Sequence, residues 1–289
     1  MARAKLSHFK HAYIYLIFAC LLWASVGLFT NWIPLDGPNL AFYRVLFAGF
    51  VLLPFGKWQQ FRVNLSLLTM VMCFALMNVC FVTAMTVTSA ANAIFLQYTA
   101  PIWMTLGAVV LFREKIDLRS LRSIGVAFFG ILVIVLGSWQ SASLGIVLAL
   151  LAGVFFAGVG LSLRHLRGLD SVVLTVVNLL GSALILYVLS FFMESITIVW
   201  PSQQWLFPLV LFGTIQLGLP YILYARGLRS LSPQEVGVIC LLEPVFNPLL
   251  VGCVFGKWPN LWTVVGGAAI LLSVLVRIIE PRKLKKALV

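Results

Sequence analysis

The chain has 289 residues, of which 62% are hydrophobic and only 10% charged, and its formal net charge is +12. A soluble domain is about half apolar and about a quarter charged, so this composition excludes an ordinary soluble protein. The alternating pattern of a membrane β-barrel is absent, and we predict an all-α membrane protein. The basic residues lie at the ends of apolar runs, which follows the positive-inside rule and does not indicate nucleic-acid binding.

Ten apolar runs predict ten transmembrane helices, since about 20 apolar residues cross one bilayer. These predicted spans 1 to 10 cover, in chain order, residues 13–32, 39–56, 65–86, 90–112, 121–138, 143–163, 172–193, 205–225, 233–255 and 261–279. Span 1 follows a basic start but lacks a small-residue cleavage site, so we interpret it as a retained helix rather than a signal peptide.

The basic residues predict the orientation of these spans. If the N-terminus is cytoplasmic, the cytoplasmic segments hold 18 of the 20 lysines and arginines, and the opposite face holds Lys257 alone. Arg44 lies within span 2. Because positive residues accumulate on the cytoplasmic side, we expect a multi-pass protein of the cytoplasmic (inner) membrane with both termini in the cytoplasm.

No group of residues indicates a catalytic centre, a metal site or a cofactor. The five cysteines lie inside apolar runs without a C-x-x-C pair, as small core residues do. The three histidines lie at predicted cytoplasmic span ends, so the paired groups that an intramembrane enzyme needs are missing. The ATP-binding pattern G-x-x-x-x-G-K-[ST] is also absent.

Span 9 contains two prolines and an acid far from either end of the run. Pro244 and Pro248 each lack an N–H, and so they should free the carbonyls of Cys240 and Pro244. Glu243 lies beside this break, where insertion of an acid costs about 2.5–3.5 kcal/mol, and such a residue indicates a functional site.

A similar stretch in span 4 predicts an internal repeat. If Pro101 is aligned with Pro244, Ser89 falls on Ser232 and Phe112 on Phe255. Five spans per copy is an odd number, so the second copy would be inserted upside down, as in many transporters with broken helices. We predict two five-helix repeats, residues 1–138 and 139–289.

Several short motifs, in their order and spacing, resemble the EamA-type members of the drug/metabolite transporter superfamily over nearly the whole chain. They are Leu22-Trp23-Ala24-Ser25, Pro38 with Arg44, Thr88-Ser89-Ala90-Ala91-Asn92-Ala93, Ala100-Pro101, Leu111-Phe112-Arg113-Glu114, Leu231-Ser232-Pro233, Leu242-Glu243-Pro244-Val245 and Gly266-Gly267. The resemblance implies ten helices as two inverted five-helix repeats around a central cavity, and export or exchange of small metabolites. Lys257 departs from the family pattern, because many relatives have an acid there.

Glu243 and Arg44 are the main candidates for substrate binding. Glu243 is expected to bind an amine or to alternate with a proton; alternatively, it is a neutral acid bonded to a freed carbonyl. Arg44 is expected to anchor a carboxylate with its planar fork; alternatively, it snorkels outward or pairs with Asp36. An Arg44–Glu243 pair across the cavity is a further hypothesis.

Other polar and aromatic residues within the spans either line the cavity or hold helices together. They are Asn78, Gln97 and Tyr98 in the first half, and Gln216, Tyr221 and Asn247 in the second. Trp23 and Trp103 wall the cavity or pack between helices. Pro101, Pro244 and Pro248 are predicted hinges.

Together with the resemblance, these features predict a secondary active or facilitative transporter that works by alternating access and is a monomer or homodimer in the bilayer. The resemblance implies export of a small polar metabolite, and the acid, the base and the aromatic groups favour an amino acid. Protons are a candidate coupling ion, because Glu243 could take up and release one during transport. The alternatives are an exchanger or importer of another metabolite or drug, such as a nucleotide-like, cofactor or cationic compound, and a channel.

Overall fold

The computed structural model describes residues 2–60, 63–113, 118–163, 166, 169–194, 196–227 and 239–279, and within these ranges the regular structure is helical. The helices are α1 Ala2–Ala24, α2 Val26–Trp32, α3 Gly37–Leu52, α4 Leu65–Val87, α5 Ala90–Gln97, α6 Ala100–Phe112, α7 Leu118–Leu163, α8 Ser171–Leu189, α9 Gln203–Leu211, α10 Leu219–Gly227, α11 Leu242–Phe255 and α12 Leu261–Ile279. A π-helical segment, Phe212–Gly218, joins α9 to α10.

Seven helical segments in the described part of the chain are long and apolar enough to cross a membrane. They are His11–Trp32, Gly37–Phe55, Leu65–Val87, Ala90–Phe112, Leu144–Leu163, Val172–Leu189 and Gln203–Tyr224. Three shorter apolar helices, Leu121–Gly137, Leu242–Phe255 and Leu261–Val276, lie where predicted spans 5, 9 and 10 were placed. The all-helical membrane class is confirmed, whereas the number of crossings and their orientation stay predictions. Residues 233–238, at the start of predicted span 9, lie outside the described residues.

The loop predicted between spans 5 and 6 is wrong, because helical backbone continues from Leu118 to Leu163. Residues 138–143 contain no proline or glycine, so nothing in that sequence interrupts a helix. At 1.5 Å per residue, the 46 residues of α7 would extend about 69 Å if straight. This is about twice the hydrocarbon thickness, so α7 holds enough residues for two crossings.

Side chains that cap the N-termini determine where several helices begin. The carboxylate of Asp36 accepts from the N–H of Asn39 at the start of α3, and Ser89 Oγ accepts from the N–H of Asn92 at the start of α5. Asp170 accepts from two N–H groups at the start of α8. Each cap satisfies backbone donors that lack a partner within the helix.

Three predicted spans are interrupted in the structure. Span 1 breaks at Ser25, and span 4 breaks at residues 98–99. Span 9 has a turn at Leu241, directly before α11. The predicted breaks near Pro101 and Pro244 are therefore observed, with each proline in the first turn of the new helix, where a missing N–H costs little. Pro248 lies inside α11 without ending it.

Glycines allow close helix packing at the break of span 4 and against α3. Gly153 of α7 faces the break of span 4, and a Cβ there would lie 2.8 Å from Thr99 Oγ1. Gly213 of the π-helical segment faces α3, where a Cβ would lie 2.8 Å from the carbonyl oxygen of Arg44. Small residues allow such close approach of helix backbones in membrane proteins.

Candidate functional site

Arg44 is a buried cation without a hydrogen-bond partner for two of its nitrogens. Its side chain is 5% exposed, and neither Nε nor Nη1 has a partner. The guanidinium carbon lies 5.6 Å from the ring centroid of Phe212 and 6.0 Å from that of Phe81. These rings offer cation–π attraction, but they cannot replace the hydrogen bonds that a guanidinium fork makes with a carboxylate.

Arg44 neither snorkels outward nor forms an ion pair within the described residues. Asp36, the alternative partner, caps α3 and accepts from the side-chain amide of Asn39 at 2.6 Å. Glu243 and Tyr221 lie within range of a Coulombic interaction with the guanidinium. The hypothesis of a direct Arg44–Glu243 ion pair is not supported, and the two charges instead belong to one cluster without direct contact.

Glu243 is held by Tyr98, from the break of span 4. Tyr98 Oη lies 3.0 Å from Glu243 Oε2 and 2.8 Å from the carbonyl oxygen of Cys240. This carbonyl is the one predicted to be freed by Pro244. The observed partner of this carbonyl is Tyr98, and the alternative in which Glu243 itself bonds a freed carbonyl stays a prediction. The two predicted helix breaks thus meet through one tyrosine hydroxyl.

Trp23 of α1 forms an aromatic cluster with two tyrosines of α10. Its ring centroid lies 5.3 Å from that of Tyr221 and 5.3 Å from that of Tyr224. Tyr221 also interacts electrostatically with Arg44 and Glu243. The cluster therefore supplies an apolar and aromatic wall beside the two charged groups.

Gln216 and Asn247 stabilise the break of span 1. The sequence left two roles open for these amides, lining a cavity or holding helices together, and the observed contacts are of the second kind. Gln216 Nε2 donates to the carbonyl of Trp23 at 3.1 Å, and Asn247 Nδ2 donates to the carbonyl of Ala24 at 2.9 Å. Their side-chain oxygens are buried without a partner. The two amides replace helix hydrogen bonds that the break at Ser25 removes.

The remaining predicted residues lie around the charged cluster rather than in it. Asn78 donates to the carbonyl of Ala41 at 3.0 Å, one turn before Arg44, and so supports α3. Trp103 donates to Thr99 Oγ1 at 3.0 Å and packs edge-on against Phe128, which favours a packing role. Gln97 is buried at the end of α5.

Sequence reasoning missed the break at Ser25 and the two phenylalanines beside Arg44. Ser25 has neither proline nor glycine next to it, and the available signal was the pair of amides, Gln216 and Asn247, in distant apolar runs. Phe81 and Phe212 gave no signal, because phenylalanine is common in any membrane helix.

A separate cleft of about 130 Å³ lies at the predicted outer end of the helices. Asn31, Pro248 and Lys257 contribute to its walls. Lys257 Nζ donates to Asn31 Oδ1 at 2.7 Å, which ties the end of α2 to the loop after α11. The lysine that departs from the family pattern therefore joins two helices at this face.

Within the described residues, no group of three histidine, cysteine or acidic side chains is placed to hold a metal ion. Cys20 of α1 interacts electrostatically with Cys240 and Glu243, and both cysteines are free. The chemistry of the site is that of one cation, one carboxyl group and several hydroxyl and aromatic groups.

Comparison with known proteins shows what this chain is similar to. The model of the EamA-like transporter family matches residues 10–136 and 143–279. An uncharacterized transporter of Archaeoglobus fulgidus is 26% identical over 264 residues, which cover 90% of this chain and 94% of the relative. The uncharacterized transporter YxxF of Bacillus subtilis is 27% identical over 268 residues, covering 88% of this chain and 85% of the relative.

A protein of known crystal structure has the same fold. It is 17% identical in sequence, and the superposition covers 95% of this chain and 99% of that chain with a TM-score of 0.66. At this identity the likeness is one of fold.

Proposed function

Since the chain belongs to the EamA-like transporter family, we propose that it is a secondary transporter that exports a small zwitterionic metabolite, an amino acid, across the cytoplasmic membrane by alternating access. The observation that carries this proposal is the buried guanidinium of Arg44, two of whose nitrogens have no hydrogen-bond partner among the described residues. A cation buried without hydrogen-bond partners is costly, and a substrate carboxylate supplies the partners that it lacks.

Glu243 provides the opposite pole of the proposed site. Its carboxyl group accepts hydrogen bonds from a substrate ammonium, while Arg44 binds the carboxylate. Tyr221 interacts with both poles and Trp23 packs against its ring, so these two rings contact the body of the substrate. A zwitterion fits this arrangement better than a simple anion or cation, since both charged groups find a partner.

Two further proposals concern the topology. The family match in two stretches, 10–136 and 143–279, supports two inverted repeats with a boundary near residue 139 and ten crossings in all. The charge distribution supports cytoplasmic termini. The repeats then move relative to each other about the breaks at residues 98–99 and Leu241, and one side of the site opens at a time.

A cationic substrate is the second candidate. Trp23, Tyr221 and Tyr224 surround the side of the site next to Glu243, and aromatic rings with one acid are a common environment for organic cations. A cation makes no use of Arg44. The effect of substitutions at Arg44 therefore distinguishes the two candidates.

The proposal is tested by metabolite profiles of cells and medium for the wild type, Glu243→Gln and an empty vector. Glu194→Gln, at an exposed loop position, is a matched control for loss of one acid. We expect one amino acid to accumulate in the medium with the wild type and Glu194→Gln, much less with Glu243→Gln, and not with the empty vector. A metabolite that rises inside the cells would show import instead.

Saturable counterflow in proteoliposomes then separates a carrier from a channel. A carrier exchanges labelled for unlabelled substrate and saturates, because each cycle moves a bound molecule. Flux that rises without saturation would contradict alternating access.

A further inference from the structure

The hydroxyl of Tyr98 is shared between two acceptors. It lies 2.8 Å from the carbonyl oxygen of Cys240 and 3.0 Å from Glu243 Oε2. A tyrosine hydroxyl carries one hydrogen and accepts through its oxygen. It therefore donates to only one of the two acceptors at a time, and the other contact needs a hydrogen from elsewhere.

When Glu243 is ionised, both neighbours of Tyr98 Oη are acceptors only. Hydrogen bonds to a charged acceptor are about twice as strong as neutral ones, so the hydroxyl turns towards the carboxylate. The carbonyl of Cys240 then loses this donor, and Pro244, four residues later, has no N–H to give it. The link between the breaks of spans 4 and 9 through this carbonyl is lost.

When Glu243 is protonated, all three groups are satisfied in a chain. The carboxyl O–H donates to Tyr98 Oη, and the tyrosine O–H donates to the carbonyl of Cys240. The same two contacts then form two well-directed hydrogen bonds, and the breaks of the two helices are joined.

We propose that Tyr98 transmits the protonation state of Glu243 to the two helix breaks: it bonds both Glu243 and the carbonyl of Cys240 when Glu243 holds a proton, and Glu243 alone when Glu243 is ionised. This inference rests on the proposed transport function and names the proton as its coupling ion. Tyr98 is thus a positioning residue that acts through Glu243.

The groups that face Glu243 come from several elements. Arg44 from α3 and Tyr98 from the break of span 4 act on its charge directly. Tyr221 from α10 and Cys20 from α1 interact with it as well. Arg44 is the only cation among them, and its charge favours ionised Glu243.

Proton and substrate compete at this carboxyl group. A substrate ammonium needs the ionised form as its acceptor, whereas the hydrogen bond from Tyr98 to the carbonyl of Cys240 needs the protonated form. The proton enters Glu243 from the water on one side after the substrate has left, and it returns to water on the other side when the next substrate binds. The net result is exchange of a proton for a zwitterion.

The first test needs no knowledge of the substrate. Full-length protein in liposomes is titrated by pH-difference infrared spectroscopy for the wild type, Glu243→Gln, Tyr98→Phe and Tyr187→Phe. Tyr187 is a suitable control, because its ring is exposed on α8, outside the cluster. We expect a carboxyl C=O band that is absent in Glu243→Gln, shifted in frequency in Tyr98→Phe, where the carboxyl O–H has lost its acceptor, and unchanged in Tyr187→Phe. A band of equal frequency in Tyr98→Phe and wild type would overturn the proposal.

The second test measures the consequence for transport with a labelled mixture of the common amino acids as the probe. Counterflow of the wild type and Tyr187→Phe should vary with pH, whereas Tyr98→Phe should lose this dependence and be about tenfold slower at its optimum, the effect of one hydrogen bond to a charged group. A Tyr98→Phe profile parallel to that of the wild type would overturn the inference. Absence of counterflow in every variant would contradict the proposed function alone, because the infrared result stands independently.

Discussion

Arg44 shows how a single side chain can indicate a ligand that the structure does not contain. The residue is buried, two of its nitrogens are unpartnered, and the rings of Phe81 and Phe212 cover it. A residue placed for stability would have an acid or a carbonyl in reach, because an unpaired buried charge destabilises the fold. The arrangement is better explained by a partner that arrives and leaves.

If a substrate carboxylate is the missing partner, Arg44→Leu should reduce transport without reducing stability. Removing this charge leaves no other buried group without a hydrogen-bond partner, so the thermal midpoint in detergent should not fall below that of the wild type. Transport should be much slower, since the carboxylate anchor is gone. The stability is measured by thermal unfolding monitored through tryptophan fluorescence, and the activity by a transport assay.

Asn78→Leu is the contrasting variant, because it removes the bond to the carbonyl of Ala41 that supports α3. It should lower stability, by about 0.5–1.5 kcal/mol for the loss of one hydrogen bond. If Arg44→Leu were the less stable of the two variants, Arg44 would have a structural role and the carboxylate proposal would fail.

The charged members of the site could be predicted from the sequence, whereas their surroundings could not. Arg44 and Glu243 stand out because ionisable residues inside membrane helices are rare and functional by default. Phe81 and Phe212 are ordinary membrane residues, and their contact with Arg44 depends on how three helices pack. The sequence also left the roles of Gln216 and Asn247 open, because an amide that lines a cavity and one that bonds a carbonyl look alike.

At the scale of helices, the breaks have two different causes. Pro244 removes a donor and lies next to the break in span 9, so the sequence was sufficient to place it. The break at Ser25 in span 1 is stabilised from outside, by Gln216 and Asn247. Similarly, the loop predicted within α7 is absent because hydropathy indicates where apolar runs end but not whether the backbone between them leaves the helix.

Asn247→Leu should destabilise the break of span 1. Leucine has a similar volume but cannot donate to the carbonyl of Ala24, and a buried unpaired acceptor costs about 1–3 kcal/mol. The change is measured as a lower thermal midpoint than that of the wild type. Val245→Ala, at an exposed position on the same helix, should have a much smaller effect, and equal losses in both variants would contradict the assignment.

The two prolines of α11 should differ in their importance. Pro244→Ala restores an N–H that competes with Tyr98 for the carbonyl of Cys240, so it should slow transport about three- to tenfold, as one hydrogen bond of ordinary strength does. Pro248→Ala, within the continuous part of the helix, should change the rate little. Transport rates in proteoliposomes at equal protein amounts make the comparison. If Pro248→Ala slowed transport more than Pro244→Ala, the break that matters for transport would lie at Pro248.

At the scale of the whole molecule, the orientation rests on the distribution of charge. Lys257 is the one basic residue predicted on the outer face, and Lys57 is predicted in the cytoplasm. Lys257→Cys should therefore react with a membrane-impermeant maleimide in intact cells, whereas Lys57→Cys should react only after permeabilisation. The native cysteines lie within apolar runs and should give a low background. Labelling in the opposite order would reverse the proposed topology.

At this scale, the family match and the contact between two helix breaks are consistent with the repeat that the sequence predicts. The charged groups of the site indicate the class of substrate. The family match covers both halves of the chain, and the breaks of spans 4 and 9, which the repeat prediction aligns, meet through Tyr98. The two polar ends of the proposed site, at Arg44 and Glu243, come from helices of different halves. A substrate that contacts both ends is therefore sensitive to the relative position of the halves, as alternating access requires.

The most direct test of the central claim is a competition assay on counterflow in proteoliposomes. A transported amino acid competes with its decarboxylated and its deaminated analogue in the wild type, Arg44→Leu and Glu243→Gln. The account predicts that the wild type prefers the intact amino acid over both analogues. Arg44→Leu should lose only the preference for the carboxylate, and Glu243→Gln only that for the ammonium group. If both variants kept the preferences of the wild type at a reduced rate, neither residue would bind the substrate, and the proposed zwitterion site would be contradicted.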